Sequence, residues 1–319
     1  MTTRPAEPEW SPSLDLTVLV PVFNEAENMR PLLTKLAADL EPLGKSYEIL
    51  VVDDGSTDAT FEQVRAAASE IAGLRAVRFR RNYGKSAALS IGFREARGRY
   101  VVTMDGDLQD DSAEIGRLLA KIDEGCDLVS GWKQKRKDPI TKTIPSKFFN
   151  GVTSAMTGVS LHDMNCGLKA YRCEVTRTVT LRGELHRFIP VLAVWNGFRI
   201  GEIKTVHHPR LHGKTKFGVS RFLNGFLDLL AVMFLTTSST RPLHLFGRLG
   251  IFFALAGGAI TIVYSAPWFL GEGLRLRPAL LFGLVLVILG IQFLSLGFLG
   301  ELIAGSRSGE PVYAIRERL

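Results

Sequence analysis

The stretch YVVTMDGDLQDD, residues 100–111, runs from an apolar segment straight into four carboxylates and a glutamine. Tyr100–Met104 reads as a β-strand buried on both faces, and the acids stand at its carboxyl end. Like charges this close repel, so the arrangement calls for a cation. Alternate residues of an extended chain point the same way, which predicts that Asp105, Asp107 and Gln109 face one point. Two carboxylates and an amide oxygen are hard ligands that suit Mg²⁺ or Mn²⁺. A magnesium ion takes few protein ligands and completes its shell with water and phosphate, so a diphosphate ligand fits the same pattern. Asp110, Asp111 and Glu114 are expected to cap the next helix, whose apolar stripe is Ile115, Leu118, Leu119 and Ile122.

Upstream, strand-like and helix-like patterns alternate. Leu16–Val22, Glu48–Val52 and the weaker Ala76–Phe79 read as strands, and Asp127–Ser130 as a fifth. Met29, Leu32, Leu33, Leu36 and Leu40 stripe one intervening helix, Phe61, Val64, Ala68 and Ile71 another, and KSAALSIGFREA (85–96) a third. Alternation of this kind predicts an α/β domain with a mostly parallel central sheet covered by helices on both faces. In such sheets ligands lie beyond the carboxyl ends of the strands. PVFNEAEN follows strand one, DDGSTD strand two, RRNYGKS strand three and DGDLQDD strand four, so four polar clusters converge on one cleft. Neither GxGxxG after strand one nor GxxxxGK[ST] occurs, which disfavours a dinucleotide fold and a P-loop.

The chain has 319 residues, with 39 Lys+Arg against 32 Asp+Glu and a net charge of +7. That balance suits anionic partners: nucleic acid, phosphorylated small molecules or an acidic membrane surface. Three cysteines without a CxxC pair argue against a disulfide framework, and Cys166 and Cys173 are expected to be packing residues. Leu249–Gly271 and Pro278–Gly300 are each 23 residues long without a charged side chain. At ~1.5 Å per helical residue each is long enough to cross a hydrocarbon core of about 30 Å. The short connection EGLRLR (272–277) makes them a hairpin with both chain ends on one side. With no secretory signal before about 240 residues of soluble pattern, the expectation is a cytoplasmic domain on the inner membrane.

Between these parts, KQKRK (133–137) is a basic run suited to anionic headgroups. Phe148, Phe149, Val152, Met156 and Val159 mark an amphipathic segment, and Phe222–Leu235 is apolar but too short to span. The expected organisation is therefore a disordered 1–15, a soluble domain over 16–216 with an amphipathic helix at 146–160, and an interfacial helix at 217–241. Two spans then lie within 245–303, and 304–319 forms a cytoplasmic tail.

VPVFNEAEN, VVDDGSTD, RNYGKSAAL and MDGDLQDD resemble, in order, the motifs of family 2 glycosyltransferases with the GT-A fold. The Leu-Gln of the last, HDMNCGLKAYR (162–172) and HHPRLHGKTKFG (207–218) resemble the polyprenyl-phosphate sugar synthases related to dolichyl-phosphate mannose synthase, in bacterial members with a membrane hairpin. The similarity covers about residues 16–303.

The resemblance implies an inverting, metal-dependent transfer of one sugar from a nucleotide-diphosphate sugar to polyprenyl phosphate. Membrane lipids are its setting, nucleic acid is no partner, and a symmetric homo-oligomer is a family habit. Pro21, Phe23 and Glu25 would line the nucleotide pocket, Asp53 or Asp54 would read the base, and Lys85 would lie near the sugar or diphosphate. Asp105 and Asp107 would hold donor and metal with Gln109 as a further ligand, and Arg210 and Lys216 would grip acceptor phosphate and diphosphate. Chemistry agrees for that pair, since Arg binds phosphate bidentately while Lys is a mobile point charge. Arg136 or Lys133 would also touch phosphate. Asp163 sits where related transferases place a base. A phosphate acceptor is already ionised, so Asp163 is expected to organise the acceptor site by fixing Lys169 or Arg172. The six histidines are expected in ordinary polar roles. A hydroxyl acceptor on a glycolipid or polysaccharide, or a non-catalytic scaffold, are the rival readings.

Overall fold

The computed structural model describes residues 11–133, 154, 157–181, 183, 185–209, 242–269, 277–306 and 315–318. Among these the chain forms one eight-stranded sheet and two long apolar helices, which divide into two units. The first unit comprises Met1–Leu229 with Val312–Leu319, and the second Leu230–Pro311.

The sheet begins as its hydrophobic runs dictate. Strands β1 (Leu14–Val22), β2 (Tyr47–Asp53), β3 (Leu74–Phe79) and β4 (Gly98–Thr103) are parallel, in the spatial order β4-β1-β2-β3. Helices α1 (Ala26–Leu40), α2 (Thr60–Ala68), α3 (Lys85–Glu95) and α4 (Ile115–Asp123) follow β1 to β4 in turn. The period-2 alternation of β1 distributes its side chains to two cores. Leu16, Val18, Val20 and Val22 join α1, α2 and α4 on one face, while Leu19 joins α3 on the other. Burial on both faces is why these strands read as continuous apolar runs.

Beyond β4 the order departs from simple succession. β5 (Leu128–Trp132) does not touch β4; β6 (Lys169–Arg172) lies between them, antiparallel to both. β7 (Ile200–Lys204) is parallel to β5 and closes that edge, after the short helices α5 (Cys173–Thr178) and α6 (Ile189–Trp195). The expected tail at 304–319 is not merely a tail: Ile315–Arg318 forms β8, antiparallel to β3 on the opposite edge. β1 also starts at Leu14, inside the segment expected to be disordered.

The second unit contains α7 (Pro242–Phe269) and α8 (Pro278–Ser306). Their membrane-length segments are Leu243–Ala266 and Pro278–Gly300. The first begins six residues before the expected start at 249, because Pro242 supplies a helix start and the helix accommodates Arg248. Gly250, Gly257, Gly283 and Gly290 bring the two backbones together: a β-carbon on Gly257 would stand 2.6 Å from Gly283 O. The expected helices at 146–160 and 217–241 fall largely or wholly outside the described residues.

Candidate active site

Four loops at the carboxyl ends of β1–β4 interlock through side chains. Asp54 N donates to Val22 O, and the Asp54 carboxylate accepts from Tyr83 N at 2.7 Å and Gly84 N at 2.9 Å, which sets the start of α3. Asp53, wholly buried, accepts from Ser56 N at 2.9 Å and faces Arg78 Nε at 3.3 Å; burial pushes its carboxyl above the usual range. Both acids expected to read a base are seen here holding loops in place. Asn24 lies in the left-handed region and accepts from Thr57 N, while its own amide donates to Ser56 Oγ. Glu25 N donates to Thr60 Oγ1, and the Glu25 carboxylate accepts from Asn28 Nδ2 at 2.6 Å. Pro21 and Phe23, half-buried, complete this β1 end.

The acidic stretch is a turn, which corrects the expectation of an extended segment. β4 ends at Thr103, and Leu108 takes φ +61° so that its side chain packs on the core while the chain reverses. The Asp107 carboxylate then accepts from Gln109 N at 3.2 Å. Gly106 packs against Val22, since a β-carbon there would come within 2.8 Å of its Cγ1. The residue with the strained backbone therefore sits between Asp107 and Gln109.

Asp105 pairs with Lys85 at the first turn of α3. Burial opposes its ionisation, but Lys85, Lys133 and Lys169 override it and hold the carboxyl well below the usual range. Lys169 at the start of β6 is buried, donates to Cys166 O, and lies within electrostatic reach of Asp163; burial pulls its pKa down. Asp163, also buried, has its amide held by Glu202 Oε1 at 3.0 Å. Of its two expected partners, Lys169 is the neighbour. Arg172 instead pairs with Asp127 and donates to the carbonyls of Ile122 and Cys126. Cys166 and Cys173 are buried free thiols, and burial pushes Cys166 up to about 12, which suits packing rather than nucleophilic chemistry.

Asp111 caps the following turn as expected, accepting from Ala113 N. Asp110 does not: it is buried and paired with Lys133 Nζ at 2.7 Å. Burial opposes the charge on Lys133, yet Asp110 lifts its pKa well above the usual range, so it stays an ammonium. Three histidines take polar roles around this turn. His207 forms a β-bridge with Asp110, and His208 N donates to Gln109 O at 2.8 Å. His186 Nδ1 meets Ser86 Oγ at 3.0 Å beside Lys85. Nothing in a run of acids or in isolated histidines singled these residues out. Arg136, Arg210 and Lys216 lie outside the described residues, while Lys133 and Pro209 mark where their segments begin.

No group of three or more His, Cys, Asp or Glu side chains is arranged for a metal among the described residues. Asp105 and Asp107 with Gln109 still fit a magnesium-type ion, which needs one or two carboxylates and takes its other ligands from water and phosphate. Asp105 is held ionised, and Gly167 leaves room for its carboxylate: a β-carbon at Gly167 would stand 2.5 Å from Oδ2.

Comparison with known proteins identifies the family. The family described as Glycosyl transferase family 2 matches residues 17–180. A dodecaprenyl-phosphate galacturonate synthase of Rhizobium johnstonii is 40% identical over 314 residues, covering 96% of this chain and 93% of that protein. An undecaprenyl-phosphate 4-deoxy-4-formamido-L-arabinose transferase of Pseudomonas paraeruginosa is 37% identical over 293 residues, covering 90% and 84%. Among solved structures, glucosyl-3-phosphoglycerate synthase from Mycobacterium tuberculosis, in complex with Mn²⁺, UDP and glucosyl-3-phosphoglycerate, superposes with a TM-score of 0.54 at 18% identity. That match covers 69% of this chain and 80% of that one and shows the shared GT-A fold. With motifs, sheet and close relatives in agreement, the chain belongs to glycosyl transferase family 2.

Proposed function

We propose that this chain transfers a single sugar from a nucleotide-diphosphate sugar to polyprenyl phosphate at the cytoplasmic face of a membrane. The observation that carries the reading is the meeting of three elements at one turn. Asp105–Gln109 is joined by Lys85 at the start of α3 and, through Gln109 O and Asp110, by the first residues of the 207–218 motif. A diphosphate at the acidic turn would thus lie beside the Lys85 ammonium. The named activities of the relatives, which use dodecaprenyl and undecaprenyl phosphate, support the same acceptor class.

In this mechanism the acceptor phosphate oxygen attacks the anomeric carbon as the bond from that carbon to the β-phosphate oxygen breaks, and nucleoside diphosphate leaves. Asp105, Asp107 and Gln109 would hold a divalent cation, Mg²⁺ or Mn²⁺, which when bound neutralises charge on the leaving group. Lys85 lies beside Asp105, within reach of donor oxygens bound there. Arg210 and Lys216, with Arg136, would align the acceptor phosphate; an ionised phosphate needs alignment and charge neutralisation rather than a base. Asp163 would then stabilise Lys169 behind the turn instead of removing a proton. Pro21, Phe23 and Glu25 would border the nucleotide, with Asp53 and Asp54 shaping the loops around its base.

Crossing of the bilayer by α7 and α8 would hold the chain at the membrane that carries a lipid acceptor. β8 supports an even number of crossings, because the chain returns after α8 to the sheet of the first unit. The reading is tested by incubating the purified protein with a panel of UDP- and GDP-sugars, short-chain polyprenyl phosphate and Mn²⁺ or Mg²⁺, scored by the mass of the lipid product. One sugar added to the lipid phosphate is expected, and its loss in Asp107→Ala. Transfer only to hydroxyl acceptors, or full activity of Asp107→Ala, would overturn it.

A further inference from the structure

Lys85, the cation paired with Asp105, is held in place through its neighbours on both sides. Before it, the Asp54 carboxylate accepts from Tyr83 N at 2.7 Å and Gly84 N at 2.9 Å. After it, Ser86 is 3% exposed, and its Oγ accepts from His186 N at 3.1 Å and lies 3.0 Å from His186 Nδ1. Between the two holds Gly84 takes φ +92°, a conformation that glycine enters and leaves freely, so the direction of the chain into Lys85 is not fixed locally. His186 comes from a 3₁₀ turn, Leu185–Phe188, which leads into α6 and is anchored by buried Leu185 and Phe188. The hold on Ser86 therefore arrives from 100 residues further along the chain.

Hydrogen-bond inventory fixes the imidazole. A serine hydroxyl has one proton, and with the His186 amide donating to its oxygen, that proton is left for Nδ1. Burial, with Lys85 and Arg187 beside it, lowers the pKa of His186 to about 2, so the ring is neutral. Nδ1 then accepts, and the ring proton lies on Nε2. We propose that His186 is a positioning residue for the donor side: through Ser86 it fixes the first turn of α3, and with it the aim of Lys85 at the Asp105 carboxylate. Two bonds from one residue to one hydroxyl, its amide donating and its ring accepting, hold that hydroxyl in a single orientation. This inference rests on the reading of Lys85 as a contact of the donor diphosphate or sugar.

The test uses the full chain in lipid–detergent micelles with Ser86→Ala, His186→Leu, their double variant, His186→Asn and His186→Gln. An asparagine amide can put an oxygen at the place of Nδ1, whereas a glutamine amide reaches the place of Nε2. Calorimetry reads the affinity for nucleoside diphosphate with Mn²⁺, kinetics read KM for nucleotide sugar and for polyprenyl phosphate, and nitrogen NMR reads the ring tautomer. Ser86→Ala and His186→Leu are each expected to weaken nucleoside diphosphate and raise the donor KM about tenfold, the scale of one hydrogen bond, with the acceptor KM within about twofold. The double variant is expected to be no worse than either single one, because both break the same link. His186→Asn should recover affinity to within about threefold of the unsubstituted protein, and His186→Gln should not. Ser86→Ala, which removes one atom, carries the test if His186→Leu fails to fold. Recovery in His186→Gln but not in His186→Asn would make Nε2 the working atom and overturn the proposal. Unchanged nucleoside diphosphate affinity in Ser86→Ala, additive losses in the double variant, or a ring protonated on Nδ1 would overturn it as well. If the unsubstituted protein transfers no sugar to polyprenyl phosphate, the functional reading fails, while nucleoside diphosphate affinity and the ring tautomer still decide whether His186 acts through Ser86.

Discussion

Gly167 lies against the carboxylate of Asp105, so close that a β-carbon on the glycine would stand 2.5 Å from both Cγ and Oδ2. The approach follows from topology. β6 enters the sheet beside β4, and Thr103 at the end of β4 donates its hydroxyl proton to Gly167 O at 2.9 Å. Gly167 is thus the wall behind the first acid of the turn.

Gly167→Ala is expected to push Asp105 out of place and reduce transfer about 10- to 100-fold, the scale on which small misplacements act. Mn²⁺ affinity, measured by calorimetry with nucleoside diphosphate present, should fall in parallel. Wild-type affinity in the variant would show that the turn can yield without penalty.

Lys85→Met removes the cation paired with Asp105 without removing a ligand oxygen. Donor KM is expected to rise, with Mn²⁺ binding retained. Lys85→Arg should restore little, because a planar guanidinium does not replace a compact ammonium. Kinetics at varied nucleotide-sugar concentration decide the point.

His186 sits behind Lys85, and burial, reinforced by Lys85 and Arg187, lowers its pKa to about 2. The folded protein keeps it neutral while an unfolded chain takes up a proton near 6.5. Its contribution to stability is therefore complete above pH 6.5 and declines as pH falls toward 2, by at most about 1.4 kcal/mol per pH unit. Thermal unfolding between pH 7 and 5 should show the decline, and His186→Asn should flatten it.

In the long helices, Gly290 is held against Ala254, whose backbone N would stand 2.6 Å from a β-carbon at that glycine. Gly290→Leu is expected to separate α7 from α8 and lower the melting temperature in detergent, whereas Phe298→Leu, at an exposed position, should not. Equal melting temperatures for the two variants would refute the close contact.

At the sheet edge, Glu317 of β8 pairs with Arg65, and Arg318 with Glu95 at 3.2 Å. These are exposed pairs, so Glu317→Ala should change stability by under about 1 kcal/mol. Deleting 312–319 should do more, because it uncovers the backbone of β3 and the Ile315 contact with the second core. Chemical denaturation of both variants measures the difference.

β1 to β4 were legible because each buried run is followed by a helical stripe, and β5 as a short apolar run after the fourth. β6 and β7 carried no such signal: they have four and five residues, and β7 is only partly buried. Their insertion, which brings Gly167, Lys169 and Asp163 behind the turn, depends on pairing across more than 60 residues of sequence. The carboxylates of the site were legible as residue types at a strand end. Their presentation was not, since alternation presumes extended backbone and Leu108 reverses the chain. Asp110 was hidden among neighbouring acids, and only burial beside Lys133 separates it from Asp111.

The placement of Ile315–Arg318 on β3 imposes an order of events during synthesis. Those four residues emerge from the ribosome only after both apolar helices, so β3 keeps an open edge while the hairpin is being made. The edge of β3 is thus completed by residues that follow both helices in the chain, so the final seal of the sheet can form only after the helices have been made.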